Sequence, residues 1–180
     1  MLFDKKRILK SAKLTTGLKD FGEEDFIEPM EILTSDYRTG ANLNRLGRFA
    51  AWTYLHRMLS NRLRLNAFYK QQKTSEQRID RPIFIVGLPR TGSTLLHEMM
   101  AMHSDLRAPL FWETSFVPKN SPTDLFRRWL AKGQIITLNA LSPGFKAVHR
   151  LGTKQPHECI TMQAVSLRSM QFHAANNVKN

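Results

Sequence analysis

Cysteine is nearly absent: Cys159 is the only one in 180 residues. That excludes a disulfide framework within the chain and fits a reducing compartment such as the cytoplasm. The cysteine and the six histidines show no zinc-binding spacing. Long apolar runs are missing too; none approaches the ~20 residues that a membrane-spanning helix needs. Residues 1–14 carry Lys5, Lys6, Arg7, Lys10 and Lys13 without an apolar stretch, so no secretory signal is expected. Repeats and low-complexity tracts are also lacking. Acidic charge is scarce, with 15 Asp and Glu against 27 Lys and Arg, a formal net charge of +12. Such a balance favours anionic partners. The excess is dispersed along the chain, which argues for general attraction to anions over a helix that reads DNA.

What is present is enough for one sizeable core, since 42% of the residues are hydrophobic. Residues 1–20 read as a loosely ordered basic lead-in. From Gly22 to about Lys73 the pattern is helical. Phe26, Met30 and Leu33 are spaced as one face of a short helix, and Leu43, Leu46, Ala50, Tyr54, Met58, Leu65 and Phe68 follow as a longer stripe. Residues 1–75 are therefore expected to form an N-terminal helical segment. Thr74 to Arg81 is a polar connector, and residues 76–180 form a second region.

That second region opens on the one convincing buried strand, Ile83-Phe84-Ile85-Val86, with Pro82 at its start. It leads into Gly87-Leu88-Pro89-Arg90-Thr91-Gly92-Ser93-Thr94 and then a helix from Leu95 to about His103. Strand, glycine loop and helix together aim backbone N–H groups and a helix N-terminus at one point, which makes a phosphate cradle. The frame G-x-x-x-x-G followed by Ser-Thr copies the nucleotide P-loop, but the Lys that should follow the second Gly is missing. The cation stands inside the loop, at Arg90, whose planar fork suits two phosphate oxygens. Thr91, Ser93 and Thr94 add hydroxyl donors, and Pro89 stiffens the turn. Three readings share this cradle: a group transferase using a phosphorylated donor, a P-loop kinase, and a basic module gripping nucleic-acid backbone. The kinase needs the missing Lys and a later metal-holding acid.

Further on, Pro109–Pro118 reads as irregular. A helix is expected from Ser121-Pro122-Thr123-Asp124, with Ser121 as N-cap, to about Leu141, ended by Ser142-Pro143-Gly144. A last helix starts at Pro156, with Ile160, Ala164 and Leu167 as its apolar stripe and Glu158 in its first turn. Cys159, Trp52, Trp112 and Trp129 are expected to pack in cores, with Trp112 also a possible wall of a substrate pocket. His97 reads as a packing histidine, and His149 and His157 as residues that could border a substrate pocket. A single strand cannot complete the parallel sheet that such a loop belongs to. The expectation is thus an incomplete P-loop-like α/β fold, flanked by helices, with its C-terminal remainder absent.

The stretch from Pro82 to Leu96 resembles the 5′-phosphosulfate-binding loop of the sulfotransferase family, closest to its bacterial type and similar to the tyrosylprotein branch. Asp20-Phe21-Gly22, Asn61-Arg62-Leu63, the run Arg107–Glu113, His149 and Pro156-His157-Glu158-Cys159 also look like that family's N-terminal half. The resemblance implies a co-substrate, 3′-phosphoadenosine 5′-phosphosulfate, whose sulfuryl group passes to a hydroxyl or amine of a small-molecule, carbohydrate or peptide acceptor, with no metal and no nucleic acid. It implies Pro89, Arg90, Thr91, Gly92, Ser93 and Thr94 as the donor-binding loop. Arg90 would stabilise the leaving phosphate, and Glu113 would be the general base. The family's Arg and Ser for the donor's 3′-phosphate are not found; Arg168-Ser169 lacks the strand that should precede it.

Overall fold

The computed structural model describes residues 2–71, 80–88, 91–117, 122–141, 144, 151–176 and 178. It divides into two compact units, residues 1–72 with 159–180, and residues 73–158.

The first unit is helical. Its opening helix, α1 (Lys5–Thr16), starts where the Asp4 carboxylate accepts the Arg7 N–H at 2.8 Å and ends at Gly17, whose φ of 71° turns the chain out of the helix. The loosely ordered lead-in expected for residues 1–20 is thus corrected. Ile8 and Ala12, four apart, lie fully buried in the unit's core, while Lys5 pairs with Glu31 at the surface. The density of lysines in the sequence hides this i, i+4 pair.

A 3-10 turn (Glu24–Phe26) runs into α2 (Ile27–Thr39), and α3 (Arg45–Gln71) follows. The core joins Phe3, Ile8 and Ala12 to Phe26, Met30, Leu33 and Tyr37, and to Ala51, Leu55, Met58, Leu59 and Leu63. Of the expected α3 stripe, Met58 is buried and Leu43, Tyr54 and Leu65 pack against the core, but Leu46 and Ala50 face outward. Leu46 is 55% exposed, and the buried line is Ala51, Leu55, Leu59 and Leu63 at four-residue spacing. The C-terminal stretch packs into the same unit. There α7 (Ile160–Gln163), a 3-10 turn (Ala164–Ser166) and α8 (Gln171–Asn176) bring Ala164, Val165, Leu167 and Phe172 to that core.

The segments Asp20–Gly22 and Asn61–Leu63 meet in one polar knot. Arg62 donates from Nε to the Phe21 carbonyl at 2.8 Å and from Nη2 to the Glu23 carbonyl at 2.6 Å. It also pairs with Asp25 and lies 4.5 Å over the Phe26 ring. Gly22 has φ of 76°, and a Cβ there would sit 3.0 Å from Asn66 Oδ1, so both conformation and space call for glycine. Lys70 and the Gly22 N–H hold the exposed Asp20 carboxylate at about 2, below its ordinary 3.8. Its contribution to the fold is therefore present at neutral pH and lost as the pH falls toward 2. Arg62→Ala is expected to cost about 1–3 kcal/mol, because a largely buried guanidinium loses several charge-assisted hydrogen bonds at once. Arg62→Lys should recover less than half of that, since a point charge replaces a fork. Thermal melting of the two variants checks this; equal melting temperatures for wild type and alanine variant would contradict it.

The second unit holds the stretch expected to begin an incomplete parallel sheet. Residues 82–88 hold no regular secondary structure, and no sheet forms among the described residues. Phe84 and Val86 are 81% and 93% exposed, not buried as expected. An isolated run cannot satisfy its edges or cover two faces, whatever its own pattern favours. The loop then enters α4 (Ser93–Ala101). The stretch expected to be irregular holds a short helix, α5 (Phe111–Ser115). The next helix, α6, spans Asp124–Leu141, so it starts after the Ser121 chosen as N-cap, which lies outside the described residues along with Ser142 and Pro143. Trp112 is buried beneath the Arg128 guanidinium, 4.5 Å from its ring, and so joins α5 to α6 as a packing residue. Trp129 is 67% exposed and stacks on Phe126, and Cys159 is exposed; neither is the core residue expected.

Candidate functional site

The loop's described residues form a turn closed on itself. Thr91 Oγ1 donates to the Leu88 carbonyl at 2.7 Å, and a Cβ on Gly87 would lie 3.0 Å from that same hydroxyl oxygen. Gly87 thus leaves room for the closing contact. Gly92 has φ of 86° and ψ of 8°, a left-handed conformation that an L side chain resists, and it is the cap residue of α4. Its carbonyl accepts the Leu96 N–H at 3.0 Å, the first helical bond. Having no side chain, Gly92 cannot cap the first-turn N–H groups of Ser93 to Leu95, which have no acceptor within the helix. Those groups and the helix dipole present positive potential at the loop. Pro89 and Arg90 lie outside the described residues.

A second segment is zipped alongside α5. His157 N–H donates to the Pro109 carbonyl at 2.9 Å, Phe111 N–H to Gln155 at 3.0 Å and Trp112 N–H to Thr153 at 3.4 Å, around an antiparallel bridge between Leu110 and Pro156. The buried His157 ring meets Phe111 edge-on at 4.8 Å, a packing role; His149 lies outside the described residues. The zipper delivers Glu158 to α4. Its Oε1 accepts the Thr94 hydroxyl at 3.2 Å. Glu158 therefore does not sit in a helix's first turn as expected, because the helix begins two residues later, at Ile160.

Glu113 is 8% exposed. Its Oε2 accepts from Arg107 Nη2 at 2.7 Å and from the Leu110 N–H at 3.0 Å. It stands at the third position of α5 and caps the helix from there; Leu110, at the cap position, has no side-chain acceptor to return the bond. Arg107 is 64% exposed at its side chain, so the ion pair itself adds little to stability. The arrangement holds one buried carboxylate in a fixed orientation. Sequence reasoning placed Glu113 beside aromatic residues but missed Arg107 as its partner, six positions upstream. It also missed the pairing of Glu158 with Thr94, for which only the Pro156 start signal gave a hint.

The sequence profile described as the sulfotransferase family matches residues 82–180, more than half of the chain. The chain belongs to the sulfotransferase family. Among solved structures, it is similar to the sulfotransferase STF1 of Mycobacterium tuberculosis H37Rv, with a TM-score of 0.79 and 27% identity over 97% of this chain and 50% of that one. It also shares the fold of the sulfotransferase STF9 of Mycobacterium avium, with a TM-score of 0.72 and 18% identity over 94% of this chain and 45% of that one. This family member spans about half the length of these two structures. No curated protein matches it significantly. Among the described residues, no helix is long and apolar enough to cross a membrane, and no cluster of His, Cys, Asp or Glu could hold a metal ion.

Proposed function

We propose that the loop of residues 87–94 binds the 5′-phosphosulfate of 3′-phosphoadenosine 5′-phosphosulfate, and that the protein passes the sulfuryl group to a hydroxyl or amine acceptor. The observation that carries this reading is the start of α4. There a left-handed Gly92 leaves uncapped first-turn N–H groups beside the Ser93 and Thr94 hydroxyls, in the sulfotransferase family's own sequence frame. These donors hold an anionic group whose charge grows as it leaves. Arg90, the loop's cation, stabilises the bridging oxygen as its bond to sulfur breaks and the electron pair stays with the phosphate. The acceptor oxygen or nitrogen forms the new bond to sulfur. Glu113 takes the acceptor's proton; burial next to Trp112 keeps that carboxylate away from bulk water, and Arg107 and the Leu110 N–H fix its direction. Acceptors are small molecules, carbohydrates or peptides, the work is done in the cytoplasm, and no metal takes part in the transfer.

The test is transfer of radiolabelled sulfate from the donor to a panel of phenols, sugars and tyrosine peptides, run with and without a chelator. The reading expects label in at least one acceptor class and the same rate in both conditions. Magnesium-dependent transfer of phosphate from ATP instead would replace it with the kinase reading.

A further inference from the structure

The hydrogen bond between Thr94 and Glu158 has a consequence for any anion that enters the loop. A threonine hydroxyl carries one proton and two lone pairs. Here that proton is directed to Glu158 Oε1, so the oxygen turns only lone pairs toward the loop. A phosphate oxygen is an acceptor as well. Thr94 can donate to Glu158 or to a bound phosphate, but not to both. The Glu158 carboxylate also stands at the α4 N-terminus, where the helix dipole and the uncapped N–H groups favour negative charge. It therefore satisfies part of the potential that draws the ligand. The side chain is half-buried at the end of the 153–157 zipper, so it is held near Thr94 without being sealed in.

We infer that Glu158 is a built-in competitor for the loop's anion site. It holds the Thr94 proton while the loop is empty and yields it when the donor's 5′-phosphate arrives. In this role Glu158 is a positioning residue that acts through Thr94. It lowers the affinity for every anion at the loop, the spent 3′,5′-ADP product included, and so speeds the loop's clearing after transfer. This inference rests on the proposed donor site.

Calorimetric titration with 3′,5′-ADP tests it in the wild type, Glu158→Gln and Glu158→Ala. Removing the carboxylate charge is expected to tighten binding by about three- to tenfold, the scale of one partly screened charge at contact range. The amide of the Gln variant can still accept from Thr94, so its gain comes with an unchanged melting temperature. In a Thr94→Val background the extra gain of Glu158→Ala over Glu158→Gln should disappear, because no hydroxyl proton is left to release, while the gain from removing the charge remains. A merely structural brace predicts the reverse: equal or weaker binding in both single variants, with a lower melting temperature for alanine. Wild-type binding with no gain in either variant overturns this inference alone. No wild-type binding of 3′,5′-ADP overturns the donor site itself, and the inference with it.

Discussion

Replacing Glu113 by Gln is expected to lower kcat by about a hundred- to ten-thousandfold, the range a positioned base contributes. The donor KM should change little. Gln keeps the volume and an oxygen to accept the Leu110 N–H, so α5 keeps its cap and its place. What goes is the carboxylate's capacity to take the acceptor's proton. The buried setting sharpens the expectation, since a carboxylate that is 8% exposed has little water to relay through. Arg107→Ala serves as the companion variant. Arg107 is largely exposed and only orients the Oε2 atom, so its loss should cost far less than the loss of the base. Steady-state kinetics with saturating donor decides the matter. Unchanged turnover in the Gln variant, with donor binding intact, would remove Glu113 from the proton transfer.

Arg90→Ala is the second large effect. A fixed cation at the bridging oxygen acts most strongly in the transition state, and losing one such donor group typically costs about a hundred- to a thousandfold in kcat. Lysine at this position should restore part of the loss, because it keeps the charge but not the bidentate fork. The order Arg, then Lys, then Ala, read as kcat with donor KM measured alongside, is the expected result. A drop in affinity with kcat unchanged would mean that Arg90 contributes only uniform binding.

The loop was legible in the sequence because everything that defines it is local. Gly87, Gly92, Ser93 and Thr94 sit within eight positions, and the structure gives Gly92 the left-handed cap that this pattern calls for. The longer helices α2, α3 and α6 were legible as helices, unlike α1 and the short α5, but buried faces were less so. The basic residues of α1 concealed Ile8 and Ala12, and the mixture of aromatic and arginine residues in α3 pointed to Leu46 rather than to the Ala51, Leu55, Leu59, Leu63 line. The run Ile83–Val86 has the local pattern of a buried strand, yet burial depends on partners far away in sequence, which no window around it contains. The same limit hid the pairing of Thr94 with Glu158, separated by 64 positions. It also hid the return of residues 159–180 to the helical unit. Exposed Trp129 and Cys159 mislead for the opposite reason: residue type alone argues for a core, and the surface they occupy is decided by packing.

The claim that the loop of residues 87–94 is a donor site for a 3′-phosphoadenosine compound is tested most directly by isothermal calorimetry of 3′,5′-ADP against ATP, in the same buffer and at two salt concentrations. The expected result is saturable one-site binding of 3′,5′-ADP, tighter than that of ATP and independent of magnesium. Equal affinity for both nucleotides, or an affinity that merely collapses with salt for either one, would contradict it.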